Sequence, residues 1–198
     1  MNFSEKYLFE SLEIIRGIDT NDIENIAEII AEVRSNNGRL FIIGSGGGAG
    51  HASHAVCDFR KICNIEAYAP YDNISELTAR VNDEGWDVTI LNWLKVSKFN
   101  SKDAVFVFSV GGGSQKNSIS MNLVKVVNYA SEIGAKVVGV VGRDGGYTKS
   151  KGDAVVVIPL IGRERVTPHT EGLQAVIWHL LVSHPKLQVN SAKWESVK

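Results

Sequence analysis

With 198 residues, 44% of them apolar, the chain suits one domain with enough core to cover both faces of a sheet. A net charge of −1 gives no electrostatic footprint for nucleic acid, and two cysteines outside CxxC spacing give no disulfide framework and point to a reducing compartment. The first residues carry Glu5, Glu10 and Glu13, unlike a secretory leader, and no apolar run reaches membrane-span length, so a cytoplasmic protein is expected.

Leu8, Leu12 and Ile15, with Phe9 alongside, predict a helix over 7–16. Asp19, Thr20 and Asn21 offer caps for a second helix over 22–35, whose stripe is Ile23, Ile26, Ile29, Ile30 and Val33. Residues 6–35 thus read as a helical hairpin that packs on the sheet or on another subunit. The α/β core spans 39–184. Residues 39–43 form a buried strand, 51–60 a helix, 65–69 a weaker strand, and 74–81 and 86–96 helices. Strand 104–109 precedes a helix over 117–133 with Ile119, Leu123, Val126, Val127 and Ala130 facing inward. Strands follow at 136–141 and 154–159, joined by a turn at 142–146, and a helix over 167–184 closes the fold between Pro168 and Pro185. The tail 186–198 is polar. Apolar strands alternating with helices predict an α/β, doubly wound parallel sheet.

Two glycine loops stand out, each between a strand and a helix. The first, 44–50, reads GSGGGAG and the second, 109–114, reads SVGGGS. Glycines allow close backbone approach, and the following helix aims free N–H groups at the loop, which makes an anion site. Strand ends of an open α/β sheet share one edge, so both loops can converge on one ligand. The expected binding residues are Ser45, Gly46, Gly47 and Gly48 from the first loop and Ser109, Gly111 and Ser114 from the second. The first loop alone also fits a dinucleotide fingerprint with Asp72 on the ribose, but the second has no role in such a fold. Neither loop ends in Gly-Lys-Ser/Thr, which excludes a Walker loop, and no nucleotide cofactor is expected.

His54 and Asp58 are four apart and share a helix face; Glu171 and His179 are eight apart on the last helix, with Gln174 between them. Such a set suits a divalent metal such as zinc, or an acid and a base. Each has a plainer reading: a local His–Asp pair on a solvated face, and a core position for His179 beside Trp178. His51, His169 and His184 sit at element ends, where exposure is the default, and Cys57 reads as packed.

The stretches GSGGGAGHASHAVCD, VNDEGW, FSVGGGS, VVGVVGRDGG and TEGLQAVIWHLL resemble the sugar isomerase (SIS) family, specifically its phosphoheptose isomerases, over nearly the whole chain. The resemblance implies a flavodoxin-like fold and a homotetramer with sites between subunits. It implies interconversion of sedoheptulose 7-phosphate and D-glycero-D-manno-heptose 7-phosphate, feeding surface heptose of lipopolysaccharide or capsule. It places the family's metal-ligand histidine at His54, its final-helix histidine at His179, its catalytic glutamate at Asp58, its final-helix glutamine at Glu171, and its phosphate-loop serines at Ser109 and Ser114.

The chain departs from the pattern at Ser45, where Asn is usual, at Gly48, where Ser is usual, and at Val110-Gly111, where Thr-Ser is usual. Hydroxyl donors are therefore missing and backbone N–H groups must do more of the phosphate binding. Asp58 reaches about 1.5 Å less than Glu would. The expected mechanism is a metal-assisted enediol isomerisation. Asp58 or Glu171 is the base and His179 serves the oxygens. A zinc ion is held by His54, Asp58, Glu171 and His179, and Asp83 lies near the sugar hydroxyls. The alternatives are isomerisation of another phosphosugar and a non-catalytic sugar-phosphate-binding protein on the same fold.

Overall fold

Strands made of unbroken apolar sequence need cover on both faces, and the chain supplies it with helices on either side. The computed structural model describes residues 1–191. Five parallel strands, β1 (Leu40–Gly44), β2 (Ala67–Tyr68), β3 (Ala104–Ser109), β4 (Lys136–Val141) and β5 (Ala154–Val157), lie in the order β2-β1-β3-β4-β5. The eight helices of the described residues are α1 (Phe3–Arg16), α2 (Thr20–Ser35), α3 (Gly47–Cys63), α4 (Ile74–Glu84), α5 (Trp86–Val96), α6 (Met121–Glu132), α7 (Gly146–Lys151) and α8 (Val166–Val182). This is the doubly wound α/β arrangement that the sequence predicts. None of these helices is long and apolar enough to cross a membrane.

Alternation along each strand divides the core. Leu40, Ile42, Phe106, Phe108, Val138 and Val140 pack against α2, α3 and α8. Phe41, Ile43, Val105, Val107 and Val137 pack against α5 and α6 on the other face. Full burial of a side chain such as Phe106 stabilises by about 1.5–3 kcal/mol. The chain finishes the sheet at β5, on one edge. The last helix then returns across the first face, where α8 lies beside α3.

The structure revises three sequence expectations. Helix α6 starts at Met121 rather than 117, because Ser114 and Ile119 first pair as an antiparallel bridge. Ile119 is therefore exposed rather than inward-facing. Residues 142–146 lead into the short helix α7, which their turn-like composition hid. In α1, begun by a capping box between Asn2 and Glu5, only Glu10 and Ile14 are buried. Its stripe of Leu8, Phe9, Leu12 and Ile15 stays exposed on the single chain.

Candidate active site

Both glycine loops lie at the carboxyl edge of the sheet, after the neighbouring strands β1 and β3, where Gly44 pairs with Phe108. The first loop needs its glycines for contact. A Cβ on Gly48 would stand 2.6 Å from the Phe108 carbonyl oxygen, so the Ser usual at that position has no room here. The buried Tyr71 hydroxyl locks the loop entry: it accepts from the Gly44 N–H at 3.0 Å and donates to the Gly44 carbonyl. Burial pushes its phenol upward from the ordinary value, so it stays protonated as that donor. Ser45 accepts from Asn122 Nδ2 at 3.2 Å, which ties the first loop to the start of α6.

The second loop is held by its carbonyls. Gly142 N–H donates to the Val110 carbonyl at 3.0 Å, Tyr147 N–H to Gly113 at 2.8 Å, and Thr148 gives both its N–H and its hydroxyl to Gly112, at 2.9 and 2.8 Å. Gly112 and Gly113 take φ of +68° and +80°, a left-handed path open to glycine. Ser109 Oγ accepts from Gly112 N–H at 3.0 Å and Ser114 Oγ from Asn117 N–H at 3.3 Å. A groove of about 1150 Å3 opens beside this loop. Gly111, Gly113, Ser114, Lys116, Ile119, Arg143, Leu160 and Arg163 are among the residues that line it. The first loop does not line it.

Helices α3 and α8 pack side by side and run in the same direction. Glu171 lies at the top of the pair: a Cβ on Gly47 would stand 2.5 Å from the Glu171 carboxyl carbon. Seven residues on from Gly47 is His54, and eight on from Glu171 is His179, so the histidines meet about 10–12 Å further down. Ligand atoms of His54, Asp58 and His179 lie within 4.8 Å of one another. His54 Nε2 stands 4.0 Å from Asp58 Oδ2, and the two imidazoles are 5.7 Å apart at 88°. His179 Nδ1–H donates to the Ala175 carbonyl at 2.7 Å, which leaves its Nε2 as the free donor atom. The buried Trp178 ring stacks on His179 and takes the His54 ring on its edge, at 3.4 and 4.7 Å between centroids. His179 itself is exposed, so the core reading of that residue does not hold.

In one chain the structure thus gathers three of the four residues that the sequence put around a metal. Glu171 stands two turns away, its carboxylate over the first loop. Asp83 lies on the exposed end of α4, accepting from Asn82 Nδ2 at 2.7 Å, apart from both groove and cluster. His169 is a second correction: it is buried, 3.2 Å from Glu10, which two hydrogen bonds of 2.7 and 2.8 Å also join to Arg165. Led by those Arg165 contacts, the Glu10 carboxyl falls to about 2. Sequence reasoning missed Tyr71, Asn122, Lys116 and Arg143. Of these only Arg143, in the RDGG stretch after a strand, carried a local signal.

The SIS domain family matches residues 6–142. The chain belongs to the SIS domain family. A probable phosphoheptose isomerase from Thermoplasma volcanium is 32% identical over 72% of this chain and 72% of its own. The lincomycin biosynthesis protein LmbN of Streptomyces lincolnensis is 32% identical over 80% of this chain, which spans 60% of that protein's length. Among solved structures, phosphoheptose isomerase GmhA from Neisseria gonorrhoeae superposes with a TM-score of 0.78 at 22% identity, covering 91% of this chain and 96% of that one. That likeness is one of fold. Together the relatives support a sugar-phosphate isomerase with a phosphosugar substrate.

Proposed function

We propose that this SIS-domain protein interconverts an aldose phosphate and its ketose, with sedoheptulose 7-phosphate and D-glycero-D-manno-heptose 7-phosphate as the pair. The observation that carries the reading is the meeting of His54, Asp58 and His179 from two helices, which the glycine loops alone would not require. Two imidazoles and a carboxylate suit zinc, and the Ala175 carbonyl behind His179 is the outer partner such a ligand would need. A divalent ion held there would polarise the sugar carbonyl and steady negative charge on the enediolate.

The chain's own groups do the rest. A carboxylate takes a proton from C1 of the ketose as the C1–H pair becomes the C1–C2 double bond and the C2 carbonyl pair moves onto O2, which takes up a proton; the abstracted proton then returns to C2 while O1 loses its proton and becomes the aldehyde oxygen. Asp58 is the carboxylate that stands with His179 in one chain; His179, with Nδ1–H committed to Ala175, would serve the oxygens only through the ion that its Nε2 would hold. The phosphate goes to the second loop, through Ser109, Gly111 and Ser114. The first loop, where the Glu171 carboxylate already lies over Gly47, is left to sugar hydroxyls through Ser45, Gly46 and Gly48. None of His54, Asp58 and His179 lines the groove, and α1 exposes Leu8, Phe9 and Leu12, features that fit a homotetramer with sites between subunits.

The test is to incubate purified zinc-loaded protein with sedoheptulose 7-phosphate, and in parallel with hexose and pentose ketose phosphates, and to follow aldose formation. Turnover of the heptulose phosphate above the others is expected. Turnover of none of them would refute the reading.

A further inference from the structure

The second glycine loop keeps Ser109 and Ser114 but lacks the two hydroxyls usual at Val110 and Gly111. Three of its carbonyls, Val110, Gly112 and Gly113, are turned into hydrogen bonds with residues 142–148. Its Gly111 and Gly113 N–H groups have no protein acceptor among the described residues. Backbone amides left free in a left-handed turn form an anion-binding concavity.

The partner loop supplies charge. Arg143 holds a left-handed backbone, φ +54°, which costs a residue with a Cβ and is kept where neighbours over-determine it. Here they do: Gly142 on one side and Gly145–Thr148 on the other are fixed, through the bonds to β3's loop and by a Gly146 that has no space for a Cβ, 2.1 Å from the Gly111 carbonyl oxygen. The turn sets the Arg143 stem against Gly111, whose ideal Cβ would stand 3.8 Å from Arg143 Cδ. Arg143, Lys116 and Arg163 all line the groove, and among the described residues none of the three has a carboxylate in an ion pair.

We propose that Arg143 is the specificity-determining counter-charge for the substrate phosphate, closing over a monoester seated on the Gly111 and Gly113 N–H groups, with Lys116 as second cation. Charge-assisted hydrogen bonds from a guanidinium take the place of the absent Thr and Ser hydroxyls. This rests on the isomerase reading only for the sugar attached; the phosphate site stands on its own.

The experiment titrates inorganic phosphate into the full-length wild type, Arg143→Gln and Arg143→Gly by calorimetry, and measures KM and kcat on the ketose phosphate. The glycine variant removes the backbone strain along with the charge, so a folded protein is secured. Both variants are expected to bind phosphate about 10- to 100-fold more weakly and to raise KM similarly, with kcat held within about threefold. Arg143→Lys is expected to fall between. Wild-type phosphate affinity in either variant, or no phosphate binding by the wild type, overturns the proposal. Phosphate binding that depends on Arg143 without turnover of any sugar phosphate upholds it and refutes the isomerase reading instead.

Discussion

The Glu171 carboxylate occupies the space that a side chain at Gly47, the first residue of α3, would fill, so a Cβ there would push the end of that flexible side chain aside. An acid over a helix N-terminus is a favourable charge arrangement, and it bars a second anion from that loop. Gly47→Ala is expected to displace the Glu171 carboxylate and to lower stability by about 0.5–1 kcal/mol. The added Glu171→Ala change is expected to recover most of that loss, giving a coupling above about 0.5 kcal/mol in a double-mutant cycle by urea unfolding. Additive effects would show that the two residues do not touch.

The second loop depends on Thr148, which is buried and gives two hydrogen bonds to the Gly112 carbonyl. Thr148→Val keeps the shape and the N–H bond but loses the hydroxyl. A loss of about 0.5–1.5 kcal/mol in thermal or urea unfolding is expected, with weaker binding of inorganic phosphate. Unchanged phosphate affinity would show that the loop does not need this anchor.

Glu10 joins α1 to the start of α8 through Arg165 and His169. Its folded-state value of about 2 lies below the ordinary 4.5. The carboxylate therefore stabilises the fold fully above about pH 4.5, and that contribution fades as the pH falls toward 2. Glu10→Gln is expected to be less stable than wild type at pH 7 and to lose less on acidification through that window, as read from urea midpoints. Parallel curves for the two proteins would contradict the assignment.

Much of this architecture is legible in the residues themselves. The strands around Phe41, Phe106 and Val138 are unbroken apolar runs, and a run of that kind has few alternatives to a sheet covered twice. The pairing of His54 with Asp58 follows from helical spacing. What stays hidden depends on contacts between distant segments. His169 reads as exposed because its partner Glu10 is 159 residues away. The start of α6 is misplaced because the Ser114–Ile119 bridge precedes it. The separation of Glu171 from His179 follows from helix rise, but which of them meets His54 depends on how α8 returns across the sheet. The groove, too, needs Arg143 and Arg163 brought to the loop from other strand ends.

The central claim is that His54, Asp58 and His179 form the metal-dependent centre of a phosphosugar isomerase. The direct measurement is zinc content together with sedoheptulose 7-phosphate turnover, for wild type and His179→Ala, before chelation, after it, and after zinc is restored. Wild type is expected to lose turnover on chelation and regain it with zinc. His179→Ala is expected to bind zinc at least about 10- to 100-fold more weakly and to stay inactive at the zinc level that restores wild type. Full turnover by chelated wild type, or by His179→Ala, would contradict the account.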